Sequence, residues 1–237
     1  MTGSFARGQG RQFSDVDLDL YVNTLPQNAY ERYTLRYWDN RLISLKHILL
    51  DDEIAALSRP WDAIWAVPGL RQMRILVDNT GQLVELQSVA KNFEWANLQS
   101  SANEYAAEQL MGCAEEAHKI LNGLSTDEES TVIYAIWGLV KGLAGGVATQ
   151  RGLLIESENQ YFDIVQDSVG RGSEWTRAFR FALGADLGPT TTPVFKIRGA
   201  AALALYRCTA LFFRKIIPEK HREVIETTIN LIKESGY

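Results

Sequence analysis

Cysteine and histidine are scarce in this chain of 237 residues, which contains two cysteines and three histidines. Cys113 and Cys208 are too few for a disulfide framework. The histidines, His47, His118 and His221, are scattered and show no metal-ligand spacing. These absences exclude a disulfide-rich secreted fold and a zinc motif, and we expect a reducing, cytoplasmic location.

The sequence also lacks an uninterrupted hydrophobic run that could cross a membrane. Residues 132–148 are apolar but contain Lys141, and residues 200–213 contain Arg207. Both runs are shorter than the roughly 20 residues that a spanning helix needs. We therefore predict two buried helices and no membrane partner. No basic and then apolar leader follows Met1, so we expect no signal peptide.

An excess of basic residues is missing as well. The formal net charge is −5 and the isoelectric point is near 5.3. Proteins dedicated to nucleic-acid binding usually carry a basic surface, so we expect no nucleic-acid partner. A local basic pocket for a nucleotide remains compatible with this balance.

Strand patterns and helix patterns occupy different parts of the chain. Residues 16–22, 41–48 and 72–78 are predicted strands, whereas only helical patterns follow residue 94. Strands followed by helices indicate an α+β protein. We predict a small mixed-sheet domain over residues 1–94 and an all-α helical bundle over residues 95–237.

The first predicted strand carries three aspartates. Asp15, Asp17 and Asp19 alternate with apolar residues, so they share one side of the strand. Aspartate is depleted in strands, and neighbouring like charges repel. Carboxylate oxygens are the ligands that Mg²⁺ accepts, so a divalent cation would explain the pattern. The other reading is an ordinary surface strand.

The loop before this strand suits an anionic ligand. Gly3 and Gly8 permit close backbone approach, and Ser4 offers a hydroxyl and an amide. Arg7 adds a forked, permanently charged donor for phosphate oxygens. Backbone N–H groups in such a turn can hold phosphate although no Walker lysine is present.

Together, Gly3-Ser4, a short spacer and Asp15-Val16-Asp17 resemble the signature of the DNA polymerase β-like nucleotidyltransferase superfamily. The resemblance is nearest to the minimal and the aminoglycoside or lincosamide nucleotidyltransferases. It implies a small catalytic domain followed by a helical domain. It also implies that the Gly-Ser turn holds the triphosphate of ATP or another NTP, and that Asp15 and Asp17 bind Mg²⁺.

The sequence departs from that family pattern at two places. Relatives have a helix and most of a strand before the Gly-Ser turn, whereas only Met1 and Thr2 precede it here, which implies an N-terminally truncated domain. Ser44 aligns with the third carboxylate of many relatives, and Lys46 could meet a phosphate. We expect the general base in the helical half, where we favour Glu108 among the glutamates of the first long helix.

Three functions follow as alternatives. The first is Mg²⁺-dependent transfer of a nucleoside monophosphate to a hydroxyl of a small molecule such as an aminoglycoside or lincosamide antibiotic. The second is modification of a protein hydroxyl by an antitoxin-like minimal nucleotidyltransferase. The third is a catalytically decayed relative that only binds nucleotide. The sequence leaves a homodimer open.

Overall fold

The computed structural model describes every residue of the chain and divides it into two compact units. Unit 1 comprises Met1–Leu98 and Leu154–Tyr161, and unit 2 comprises Gln99–Leu153 and Phe162–Tyr237. Unit 1 contains a small mixed sheet and unit 2 is helical, so the α+β class is confirmed. Unit 1 extends past residue 94 and takes in a later segment that we predicted to belong to the helical part.

Three strands form the sheet of unit 1. They are β1 (Val16–Val22), β2 (Tyr33–Trp38) and β3 (Arg41–Leu49), in the order β1-β3-β2. β1 runs parallel to β3 and β2 runs antiparallel to it. The strands predicted at 16–22 and 41–48 are confirmed. β2 was not predicted. It is joined to β3 by Asp39 and Asn40, whose φ angles of 47° and 58° form the two-residue turn typical of a hairpin.

The strand predicted at residues 72–78 is wrong. A helix continues through Gln72, and the backbone that follows pairs with Met1 through a single residue, Arg74. The Arg74 N–H donates to the Met1 carbonyl (2.8 Å), and the Met1 amino group donates to the Arg74 carbonyl (3.1 Å). The alternating sequence does not become a strand because one such pair is not a ladder.

Four helices complete unit 1. They are α1 (Gly3–Ala6), α2 (Leu50–Ala56), α3 (Pro60–Gln72) and α4 (Gln82–Lys91). α2, α3 and α4 contribute to a core that includes Leu50, Val67, Leu70 and Leu86. Asp78 accepts hydrogen bonds from the backbone N–H groups of Gly81, Leu83 and Val84 (2.9, 3.0 and 3.1 Å). This carboxylate satisfies donors that the start of α4 would leave unpaired.

Six helices form unit 2. They are α5 (Gln99–Thr126), α6 (Glu129–Gln150), α7 (Tyr161–Val169), α8 (Glu174–Leu183), α9 (Val194–Phe213) and α10 (Glu219–Glu234). Tyr161, the first residue of α7, is assigned to unit 1, and the rest of α7 belongs to unit 2. α5 packs along α6, and α9 contacts α5, α6, α8 and α10. By length and composition α6 could cross a membrane, but 61% of its most apolar window is buried in the bundle. α6 therefore has the burial of a helix inside a bundle, as predicted.

One buried hydrogen bond links two helices of this bundle. The Trp175 indole N–H on α8 donates to the Thr209 hydroxyl on α9 at 2.9 Å, and that hydroxyl donates to the Leu205 carbonyl at 2.8 Å. Thr209 is fully buried and Trp175 nearly so. The two bonds let a polar ring edge lie in an apolar interior without an unpaired donor.

We therefore predict that Thr209→Val destabilises the protein by about 1–3 kcal/mol, because the indole N–H would stay buried without a partner. Urea-induced unfolding measures the change. The control is Thr126→Val, whose exposed hydroxyl donates to the Asn122 carbonyl and whose loss should cost less than about 0.5 kcal/mol. Equal costs for the two variants would contradict this account.

Candidate functional site

β1 holds the three aspartates as the alternation predicts. Asp17 and Asp19 occupy alternate positions of the strand, Asp15 directly precedes it, and all three are partly buried. In the parallel register with β3, Asp17 is paired with Ser44, and Asp19 is paired with Lys46. Residues that pair in this way share a face of the sheet, so three acids, one hydroxyl and one amine line the same side.

The turn predicted to hold phosphate packs directly on this face. Gly3 has φ +65°, and a Cβ atom added to it would lie 2.0 Å from Asp17 Oδ2. Only glycine therefore allows the turn to approach the carboxylate this closely. The Thr2 N–H donates to the Asp17 carbonyl (3.0 Å), and the Thr2 hydroxyl donates to Asp19 Oδ2 (2.7 Å). These bonds tie the turn to the strand.

The rest of the loop folds back over itself. The Gly8 N–H donates to the Phe5 carbonyl (3.2 Å), and the Gln9 N–H donates to the Ser4 carbonyl (2.8 Å). Arg7 donates to the Glu156 carbonyl (2.9 Å) and to Gln9 Oε1 (3.2 Å). The Arg7 guanidinium is thus fixed in place near the aspartates, and two of its nitrogens are already engaged.

The electrostatics of the cluster leave negative charge uncompensated. Burial raises the pKa of the Asp17 carboxyl above its ordinary value, and the neighbouring Asp15 and Asp19 charges raise it further. The Arg7 charge opposes this increase, and Glu158 adds to it. A divalent cation would relieve the repulsion, and its preferred ligands are hard carboxylate oxygens like these. The residues present therefore fit a magnesium ion bound by two carboxylates.

A further acid, Glu53, lies near the same face and was missed by sequence reasoning. It is on α2, the helix that directly follows β3, and it is partly buried. Burial raises the pKa of its carboxyl, Lys46 lowers that pKa, and Asp19 raises it. Burial, Glu53 and Asp19 all raise the pKa of the Tyr21 hydroxyl. Glu53 was given no role from the sequence, where it lies in a helix-like segment after the second predicted strand. A helix that follows a parallel strand begins near the carboxyl end of the neighbouring strand, and this is the signal that could have found it.

The remaining predicted residues are not all part of this cluster. Ser44 is buried beside Asp17 and supplies a hydroxyl where a third carboxylate was expected in many relatives. Lys46 is exposed. Glu108 lies in unit 2, on α5, half-exposed and 3.8 Å from Lys220. Nowhere in the chain do three or more His, Cys, Asp or Glu side chains converge as a metal site. Unit 1 thus gathers the turn, the aspartates, Arg7 and Lys46.

The contact between Gly3 and Asp17 predicts a specific effect of Gly3→Ala. The added methyl group would displace either the turn or the carboxylate, in addition to the strain of a left-handed residue. Gly8→Ala is the matched control, because Gly8 has a similar φ (+71°) but open space around its Cα. It should cost only the backbone strain of about 1–2 kcal/mol. Urea-induced unfolding should show a clearly larger loss for Gly3→Ala, and equal losses would exclude the contact.

The raised pKa of Asp17 predicts how stability changes with pH. In the unfolded chain this carboxyl ionises near 3.8, whereas in the folded chain it holds its proton to higher pH. The stability it contributes is therefore present below 3.8 and is lost as pH rises through the folded-state pKa. Asp17→Asn should be more stable than the original chain at neutral pH, with the difference vanishing toward pH 3.8.

The measurement is urea-induced unfolding over that pH range, with Asp52→Asn, which changes an exposed acid on α2, as the control. If Asp17→Asn were no more stable than the original chain at neutral pH, the result would show that folding does not force the Asp17 carboxylate into a buried position beside like charges.

Comparison with known proteins identifies no family for this chain. No protein-family model matches it, and no curated protein matches it. The resemblance of the Gly3-Ser4 and Asp15–Asp17 motifs therefore stays a hypothesis. Function has to be inferred from the geometry of the side of the sheet that carries Asp15, Asp17 and Asp19, the aspartate face of unit 1.

Proposed function

We propose that the protein is a Mg²⁺-dependent nucleotidyltransferase that moves a nucleoside monophosphate, taken from ATP or another NTP, onto a hydroxyl group. The observation that carries the proposal is the contact of Gly3 with the Asp17 carboxylate. Through this contact, a turn suited to binding phosphate lies directly beside carboxylates suited to binding a metal. A mixed sheet followed by a helical unit supports a nucleotidyltransferase fold.

Each residue of the cluster has a role in binding the donor nucleotide. The Gly3-Ser4 turn offers backbone N–H groups and a hydroxyl to the phosphate oxygens, while Arg7 and Lys46 offset their charge. Asp15 and Asp17 hold the cation. Bound magnesium supplies charge neutralisation to the phosphate oxygens. Binding of the triphosphate with its cation would in turn favour ionised Asp17, because the cation would offset the burial and the Asp15 and Asp19 charges that raise the pKa of this carboxyl.

In the proposed reaction the acceptor oxygen forms a bond to the α-phosphorus as the bond from that phosphorus to the bridging oxygen breaks. The donor loses pyrophosphate, and the acceptor hydroxyl loses its proton to a general base. Glu108 is the base that we proposed from the sequence. Glu53 is a second candidate, since its carboxyl has a raised pKa beside Asp19 and belongs to the same unit as the turn.

A small-molecule acceptor is the form of the proposal that we favour. Unit 2 spans more than half of the chain, which suits a separate acceptor-binding part more than a minimal protein-modifying enzyme. An aminoglycoside or lincosamide is the proposed acceptor class, by resemblance alone. A protein hydroxyl is the alternative acceptor, and a relative that binds nucleotide without transfer is the other alternative. Two free cysteines agree with the proposed cytoplasmic location.

The test is transfer of label from ATP labelled at the α-phosphate, with Mg²⁺ and a panel of aminoglycosides, lincosamides and proteins. We expect label on one acceptor class, release of pyrophosphate and loss of transfer when the metal is chelated. The double variant Asp15→Ala/Asp17→Ala should reduce transfer by at least about 100-fold, since both cation ligands are lost. Asp52→Ala, at an exposed position on α2, should match the original chain.

Other outcomes separate the alternatives. Label on a protein and on no small molecule would support the second function. Mg²⁺-dependent ATP binding that the double variant loses, without transfer to any acceptor, would support the nucleotide-binding relative. If the original chain and the double variant bound and transferred alike, the nucleotidyltransferase proposal would fail.

A further inference from the structure

A groove of about 910 Å³ lies within unit 2, lined by residues of α8, α9, the segment after α9, and α10. None of its lining residues belongs to the aspartate face of unit 1. Apolar and small side chains form much of its wall, among them Ala204, Ala210 and Ile225. Its volume is within the range of small-molecule pockets, about 300–1,000 Å³.

The charged residues of the groove are mostly basic. Two acids, Glu174 and Glu226, line it, against five basic residues: Arg177, Arg207, Arg214, Arg222 and Lys233. The chain as a whole has a net charge of −5, so this excess does not follow from composition. Cations placed around an apolar wall are suited to a ligand that is itself anionic and partly apolar.

Some of the five cations already have partners within the protein, and others do not. Arg177 lies 3.7 Å from Glu174, Arg222 lies 3.0 Å from Glu219, and Arg207 donates to the Tyr237 carbonyl at 2.7 Å. Arg214 and Lys233 are exposed and make no ion pair. These two are the cations most available to a ligand, because no protein acid has to be displaced from them.

We infer that this groove binds a small amphipathic anion, with a phosphate or carboxylate head at the basic residues and an aliphatic or aromatic body on the apolar wall. Guanidinium groups bind such heads through paired N–H donors. The apolar body adds affinity as it leaves water. This inference does not depend on the proposed nucleotidyl transfer, since the groove and the aspartate face share no residue.

Cys208 provides a reporter inside the groove. It lines the wall and is partly exposed. Burial and the Glu174 charge raise the pKa of its thiol, whereas the Arg207 and Arg177 charges lower it. The other cysteine, Cys113, is buried on α5 and does not line the groove. Alkylation of Cys208 therefore measures access to the groove, while Cys113 reports whether the bundle has opened.

The experiment measures iodoacetamide labelling of both cysteines by mass spectrometry, with octyl phosphate below its micelle concentration as the probe. We expect octyl phosphate to slow labelling of Cys208 and to leave Cys113 unlabelled. Octyltrimethylammonium and inorganic phosphate alone should protect far less, because each lacks one half of the proposed ligand. Calorimetry gives the dissociation constant of octyl phosphate directly.

Arg214→Glu/Lys233→Glu should weaken octyl phosphate at least about tenfold, the scale of losing one charge-assisted hydrogen bond. The matched control is Lys141→Glu, an exposed cation on α6 that does not line the groove, and it should bind normally. Circular dichroism checks that both variants fold. Asp15→Ala/Asp17→Ala should also bind octyl phosphate normally, so failure of the transferase proposal would leave this inference intact.

Several results would overturn the inference. One is equal protection by octyl phosphate and octyltrimethylammonium, which would mean apolar adhesion without recognition of charge. Another is equal weakening by the groove variant and by Lys141→Glu. A third is protection by an acidic amphipathic peptide but not by octyl phosphate, which would assign the groove to a partner helix.

Discussion

Carboxylates on one side of a strand repel one another, and in this protein they lie against a turn that leaves them little freedom to separate. The Gly3 backbone contacts the Asp17 carboxylate, and Thr2 hydrogen-bonds both to the Asp17 carbonyl and to the Asp19 carboxylate. The position of the turn and the positions of the acids thus depend on each other. Repulsion, burial and the missing Cβ atom of one glycine together define the candidate site.

The rest of unit 1 supports that arrangement. β3 is the central strand, and its parallel register with β1 sets Ser44 and Lys46 beside the aspartates. The two-residue turn at Asp39 and Asn40 joins β2 to β3, so that β2 lies antiparallel along the edge of β3 that β1 does not occupy. α2 follows β3 directly and brings Glu53 toward the same face. Catalytic and binding side chains require such support, because they work only when the surrounding structure keeps them within about 0.5 Å of the productive geometry.

The two units carry local charge of opposite sign that the overall composition conceals. Asp15, Asp17 and Asp19 make unit 1 locally acidic, whereas Arg214, Lys233 and their neighbours make one groove of unit 2 locally basic. A net charge of −5 indicates neither feature. Local fields of this kind, more than net charge, decide which ionic ligands a surface attracts.

The sequence by itself determined the features that depend on neighbours along the chain. Alternation located β1 and its acidic side, helical spacing and the absence of strand patterns after residue 94 indicated the bundle, and Lys141 argued against a membrane helix. Tertiary structure decided whatever depends on distant partners. Residues 72–78 alternate like a strand but find only Met1 to pair with, Glu53 joins the aspartates only through the sheet, and the groove collects cations from positions 177 to 233. The physical reason is that periodicity records which side of an element is apolar, whereas pairing and charge clusters require the chain to be folded.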